Sequence, residues 1–231
     1  MRFGLQKLTL LDYPGVVSCT VFSCGCNFRC PFCHNASLVT KQNTSDTVNI
    51  DAFFEYLKKR QGILDGVCIT GGEPLLQKDI KYFISQIKEL GYAVKLDTNG
   101  SNAKALIELV NERLVDYVAM DIKGPDTKYS DVCGVDMDKY MSDIRESITY
   151  LLSDAVDYEF RTTVVRELHS YDDFYSIGEW IGGAKRYFLQ QFKDSGDLIS
   201  NKKFTAYNKE EMEAILEIIK PYIPSAELRG I

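Results

Sequence analysis

The sequence predicts an α/β fold in which a parallel sheet carries helices on its outer face and curls into a barrel or partial barrel. Three observations lead there. Six short apolar segments alternate with six longer segments of helical periodicity. Several of the short segments are apolar almost without interruption, as strands buried on both faces are. Polar residues also recur where one short segment after another ends, and ligand chemistry in barrels collects at the carboxyl ends of strands. A doubly wound open sheet uses the same alternation, but here the glycine pair follows the second strand and lacks the G-x-G-x-x-G pattern of a dinucleotide-binding turn.

In order, strands are expected over 16–22, 66–70, 92–97, 116–121, 157–164 and 185–191. Helices are expected over 51–61, 79–90, 103–113, 138–152, 170–181 and 209–222, where apolar residues recur at three- and four-residue intervals, as in Phe83, Ile84, Ile87 and Leu90. Strand-helix units in succession imply parallel pairing through right-handed crossovers. No linker, repeat or low-complexity stretch divides the chain, so residues 1–231 are expected to form a single domain. A chain of 231 residues that is 45% apolar can close one sizeable core.

Lys plus Arg number 27 against 33 Asp plus Glu, a net charge of −6 that argues against a general nucleic-acid binder. No apolar stretch has membrane-spanning length and the first residues lack a signal-peptide core, so a cytoplasmic location is expected. Seven cysteines, an odd number, suit a reducing compartment better than a disulfide framework. Cys19 and Cys68 lie in strand-like runs and are expected to be inert core thiols. Cys24 and Cys133 fall in expected loops, with no role assigned.

The first strand leads into Cys26-Asn27-Phe28-Arg29-Cys30-Pro31-Phe32-Cys33. Three thiolates are one too few for a cubane iron-sulfur cluster and leave one iron open to a ligand that is not protein. A Cys3His zinc site that recruits His34 is the alternative reading, and it requires a ligand directly beside Cys33. The second strand ends in Ile69-Thr70-Gly71-Gly72-Glu73-Pro74, where paired glycines let backbone approach a ligand and the carboxylate suits an ammonium group. Alone, this is equally an ordinary strand-to-helix turn. The third strand ends in Leu96-Asp97-Thr98-Asn99-Gly100 and the fourth in Met120-Asp121-Ile122-Lys123. The fifth carries Arg161, and the sixth ends near Gln190 and Gln191. Singly, these residues read as helix caps or solvated ion pairs. Their recurrence at successive strand ends marks one rim as a binding site.

The C-x3-C-x2-C spacing, with an aromatic before its last cysteine, resembles the radical S-adenosylmethionine (SAM) superfamily. Together with the Gly-Gly-Glu-Pro, Asp-Thr-Asn-Gly and Asp-x-Lys segments, the chain resembles glycyl-radical-enzyme activases from Leu11-Asp12-Tyr13-Pro14-Gly15 to Leu228-Arg229-Gly230. The resemblance implies a partial (β/α)6 TIM-like barrel, with a [4Fe-4S] cluster on Cys26, Cys30 and Cys33 and SAM on the fourth iron. It also implies that the turn of Thr70, Gly71, Gly72 and Glu73 receives the SAM amino group. Phe32 is implied beside adenine, with Cys33 and His34 also contacting the cofactors. Asp97 is implied near the ribose with Asn99 also contacting the cofactors, Arg161 near the SAM carboxylate, and Asp121 with Lys123 between SAM and an incoming glycine segment. None of these is assigned as an acid or base.

The activity implied is reductive cleavage of SAM to place a glycyl radical on a partner enzyme, fed by a donor such as flavodoxin or ferredoxin. The segments Gln6-Lys7-Leu8-Thr9-Leu10-Leu11-Asp12-Tyr13-Pro14 and Leu189-Gln190-Gln191-Phe192 look most like activating proteins of anaerobic ribonucleoside-triphosphate reductase. Pyruvate formate-lyase activase has a histidine where Phe192 stands here. Two further readings are a radical SAM enzyme acting on a small molecule and a non-catalytic zinc module.

Overall fold

The structure is a computed structural model that describes residues 2–40 and 47–231. The elements in chain order are β1 (Phe3–Thr9), β2 (Ser18–Ser23), α1 (Ala36–Thr40), α2 (Ile50–Lys58), β3 (Gly66–Gly71), α3 (Ile80–Glu89), β4 (Ala93–Thr98) and α4 (Ala103–Asn111). They continue with β5 (Tyr117–Asp121), α5 (Tyr129–Cys133), α6 (Met141–Leu152), β6 (Asp157–Val164), α7 (Tyr171–Trp180), β7 (Tyr187–Gln191), α8 (Lys209–Ile219) and β8 (Glu227–Arg229).

All eight strands form one sheet in sequence order. The six expected strands are β2 to β7, paired in parallel throughout. Two edge strands extend the expected set: β1 runs antiparallel to β2, and β8 adds three residues beside β7. β1 and β8 are not hydrogen-bonded to each other, so the sheet is a partial barrel with one open seam.

Helix ends follow local chemistry. The Asn49 side chain accepts from Asp51 N and Ala52 N to start α2, and Asn102 accepts from Ala105 N to start α4. Reciprocal capping boxes, Ser170 with Asp173 and Asn208 with Glu211, start α7 and α8. Such caps satisfy amide groups that have no partner within the helix. On the outer face of the sheet, α3 buries Ile80, Phe83, Ile84 and Ile87. Phe83 stacks on Phe53 of α2 with ring centroids 5.4 Å apart, and Phe3 of β1 closes the same cluster at 5.3 Å from Phe53. Fully burying each such ring stabilises the fold by roughly 1.5–3 kcal/mol.

Alternation along a strand sends neighbouring side chains to opposite faces. In β4, Val94 and Leu96 pack into the apolar cluster while Lys95 and Asp97 form an ion pair. Cys133 departs from the expected loop: it ends the short helix α5 and is fully buried. No helix among the described residues is long and apolar enough to cross a membrane.

Candidate functional site

β2 ends at Ser23, and the chain then turns across the carboxyl ends of the strands as the cysteine loop. This loop is fastened at several points. Cys24 N donates to Arg2 O at 3.2 Å, Arg29 N to Cys133 O at 2.9 Å, and Cys33 N to Cys30 O at 3.1 Å. Asn27 accepts from Asn99 Nδ2 at 2.9 Å and donates to Ser101 Oγ at 2.7 Å, tying the loop to the end of β4.

The glycine pair explains how the neighbouring turn fits. Gly71 has φ +108°, and a Cβ there would lie 2.6 Å from Ser23 backbone atoms; a Cβ on Gly72 would lie 1.9 Å from Gly25 O. Only a chain without side chains at these two positions can lie against the start of the cysteine loop. Three hydrogen bonds then join the two segments: Gly72 N to Ser23 O at 2.9 Å, Glu73 N to Gly25 O at 2.8 Å, and Asn35 Nδ2 to Gly71 O at 3.1 Å.

A cavity of about 240 Å³ opens between these loops and the ends of β3 to β7. Cys26, Cys30, Phe32, Cys33 and His34 line it from the cysteine loop, and Thr70, Gly71 and Gly72 from the glycine turn. Asp97, Asn99, Asp121, Lys123 and Arg161 line it from the strand ends, joined by Thr163 and Gln190. Apart from Thr163, these residues were expected at one rim, and the fold brings them to one cavity.

Glu73 is the exception. Its side chain is 1% exposed and does not line the cavity. Oε1 accepts from Leu75 N at 3.1 Å and Thr98 Oγ1 at 2.8 Å, and Oε2 from Asn99 N at 2.7 Å. A buried carboxylate is costly unless hydrogen-bonded, and this one binds the glycine turn to the end of β4 instead of offering itself to an ammonium group. Burial pushes its pKa up to about 7, against the opposing pull of those three donors.

The charged residues form a continuous network. Asp97 is hydrogen-bonded by Lys95 and meets Arg161 Nη1 at 3.1 Å. Arg161 Nε reaches Asp121 Oδ1 at 3.0 Å, and Lys123 Nζ reaches Asp121 Oδ2 at 2.9 Å. Burial pushes Asp97 up, but Arg161 and then Lys95 outweigh it and hold the carboxyl below the usual range. Asp121 is treated likewise by Arg161 and Lys123. Three cations and two carboxylates leave one net positive charge to meet an anionic ligand group.

Sequence reasoning passed over Lys95, whose signal was a charge inside the apolar run Val94-Lys95-Leu96. Its ammonium is 3.8 Å from Cys68 Sγ, so Cys68, though fully buried, sits beside the network and not in a purely apolar core. Phe192 is 3% exposed, faces Phe204 at 6.4 Å and does not line the cavity.

The donor set fits an iron-sulfur cluster. Three soft thiols share one wall, Lys123 acts electrostatically on all three, and no fourth cysteine lines the cavity. Burial pushes Cys26 up to about 12, so deprotonation calls for a positively charged occupant. Cys133 lies behind Cys30 and lowers its pKa through a hydrogen bond. Among the described residues no three Cys, His, Asp or Glu side chains gather to hold a single metal ion.

The comparisons agree with this geometry. Over 238 residues, 99% of this chain and 95% of the relative, the sequence is 33% identical to a Methanocaldococcus jannaschii protein named "Putative glycyl-radical enzyme activating enzyme". A pyruvate formate-lyase-activating enzyme of Staphylococcus aureus is 29% identical over 130 residues, 52% of this chain and 51% of that one. The structure of Streptococcus suis SuiB bound to SAM superposes with a TM-score of 0.69 at 17% identity, covering 90% of this chain and 49% of SuiB, a likeness of fold. Residues 20–166 match the radical SAM superfamily. The chain thus belongs to that superfamily, and membership implies a [4Fe-4S] cluster and SAM.

Proposed function

We propose that this enzyme activates a glycyl radical enzyme, and that the partner is an anaerobic ribonucleoside-triphosphate reductase. The observation that carries the reading is the convergence of the cysteine loop, the glycine turn and the Asp97-Arg161-Asp121-Lys123 network on one cavity. The near full-length similarity to the Methanocaldococcus jannaschii protein supports the activase class. The choice of partner rests on the Gln6 to Pro14 and Leu189 to Phe192 segments and on an apolar Phe192 turned into the core.

Cys26, Cys30 and Cys33 would hold the cluster, and the cavity's remaining wall would hold SAM. When bound, the two supply one-electron reductive chemistry, fed by a donor such as flavodoxin or ferredoxin. The chain's own residues bind and orient. Arg161 and Lys123 are matched to a carboxylate, while Asp97 and Asp121 are matched to hydroxyl or ammonium donors. Each already has a partner in the network, so a ligand exchanges one charge-assisted bond for another and leaves no ion buried alone. Phe32, 3% exposed at the cavity wall, supplies an apolar face for adenine.

The test is anaerobic. The reconstituted, reduced protein is mixed with SAM and, separately, with an anaerobic ribonucleotide reductase and a pyruvate formate-lyase. A glycyl radical doublet in electron paramagnetic resonance is expected on the reductase first. A radical on pyruvate formate-lyase alone would keep the class and change the partner. A radical on neither, with stoichiometric consumption of a small metabolite, would overturn the activase reading.

A further inference from the structure

β5 ends at Asp121, paired with Arg161, so Lys123 lies two residues beyond the last strand pair and the ladder does not fix it. Buried neighbours do so instead. Ile122 N donates to Arg161 O at 2.8 Å, and Ile122 O accepts from Thr162 Oγ1 at 2.7 Å. Lys123 N donates to Tyr129 Oη at 3.1 Å, and Lys123 O meets His169 Nε2 at 2.8 Å. A carbonyl only accepts, so Nε2 carries the proton. The other ring nitrogen, Nδ1, is 3.1 Å from Val165 N and accepts from it, with Val165 O at 3.2 Å.

His169 is itself immobilised. It is 2% exposed, lies 6.0 Å from the Phe174 ring, and its carbonyl accepts from Tyr207 Oη at 2.6 Å. Burial lowers its pKa and favours the neutral ring that this pattern requires. A lysine ammonium on a flexible four-carbon stem points where its main chain lets it, and loses affinity for a ligand when that main chain is free to move.

We propose that His169 is a positioning residue: by holding the Lys123 carbonyl it aims the Lys123 ammonium into the cavity shared by Asp121 and the three cysteines, where it receives the carboxylate of SAM. The proposal rests on the cavity being the SAM site.

It is tested by SAM affinity of the oxidised, cluster-loaded protein, which needs neither turnover nor a partner. Lys123→Met and His169→Phe are each expected to weaken SAM binding about tenfold. The double variant is expected to be no weaker than Lys123→Met, because a residue that acts through Lys123 has nothing left to act on. His169→Gln, whose amide nitrogen reaches the place of Nε2, is expected to recover most of the affinity. Unchanged binding in His169→Phe, or losses that multiply in the double variant, would overturn the role of His169 alone. A wild-type protein that does not bind SAM would overturn the reading of the cavity and this proposal with it. Should His169→Phe not fold, nitrogen-15 spectra of the wild-type ring decide: a proton on Nε2 supports the role, and a neutral ring protonated on Nδ1 removes it.

Discussion

At the residue scale, carboxylates in and behind the cavity wall are tuned in opposite directions. Glu73 has an ordinary pKa of 4.5 and is raised to about 7, first by burial. The folded chain therefore holds this proton more tightly than the unfolded chain, so the stability it contributes is full below pH 4.5 and is lost as the pH rises through 7. Urea titrations should show wild type losing up to about 3 kcal/mol relative to Glu73→Gln across that window; parallel pH profiles would exclude the effect. Asp97 and Asp121 are held below their ordinary 3.8, so their contribution is present above that pH and lost as it falls. Arg161→Met strips each of a buried partner. We expect a loss of about 3 kcal/mol and acid unfolding that begins at a higher pH, read by circular dichroism. The strand-end charges were legible in the sequence because a charge that closes an apolar run has few other places to go. The destination of Glu73 was not, since a glutamate after two glycines can face a ligand or its own backbone, and only the three-dimensional position of Thr98 and Asn99 decides between them.

At the element scale the glycine turn and the cysteine loop act as one unit, because Gly72 is pressed against Gly25. Gly72→Ala is expected to force the two apart and to cut iron incorporation on anaerobic reconstitution severalfold. Cys30→Ala should abolish a full [4Fe-4S] complement, while Cys68→Ala should keep it, since Cys68 belongs to β3 and does not line the cavity. Iron-to-protein ratios and the visible spectrum check all three, and a full cluster in Cys30→Ala would refute the ligand set. The six parallel strands were readable because burial on both faces leaves nearly unbroken apolar runs. β1 was not: as an edge strand it buries Phe3 and Thr9 but exposes Gln6, Lys7 and Leu8. β8 is three residues long, too short for any period to show. In α5, buried Val132 and Cys133 follow a buried Tyr129 within a single turn and a half, which sequence alone cannot separate from a loop.

At the scale of the whole molecule, the edge strand β8 beside the open seam is fastened to the sheet by a clasp. Arg229 of β8 reaches across β7 to Glu159 of β6, with N–O distances of 2.9 and 3.2 Å, and lies 3.6 Å from the centroid of the Phe188 ring. Glu159 is 1% exposed and also accepts from Tyr117 Oη at 3.0 Å. Arg229→Ala would leave that carboxylate poorly compensated; a loss of about 3 kcal/mol is expected, with faster hydrogen exchange in β8. Adding Glu159→Gln should restore part of it, and independent effects of the two changes would argue against the clasp. A partial barrel was foreseeable from the alternation of elements, whereas the seam depends on two edges that never meet, a fact of geometry with no local sequence mark. The antiparallel course of β1 has one more effect. It carries the start of the chain up to the cysteine loop, where Arg2 O accepts from Cys24 N, while parallel β8 delivers Gly230 to a hollow it shares with His34. Gly230 thus stands beside the doorway of the cavity, in a hollow that shares His34, Thr163 and Gln190 with it. An affinity tag, fusion partner or electrode tether joined near Gly230 would crowd that doorway, whereas Leu11, 91% exposed at the opposite pole, offers an anchor point that leaves it clear.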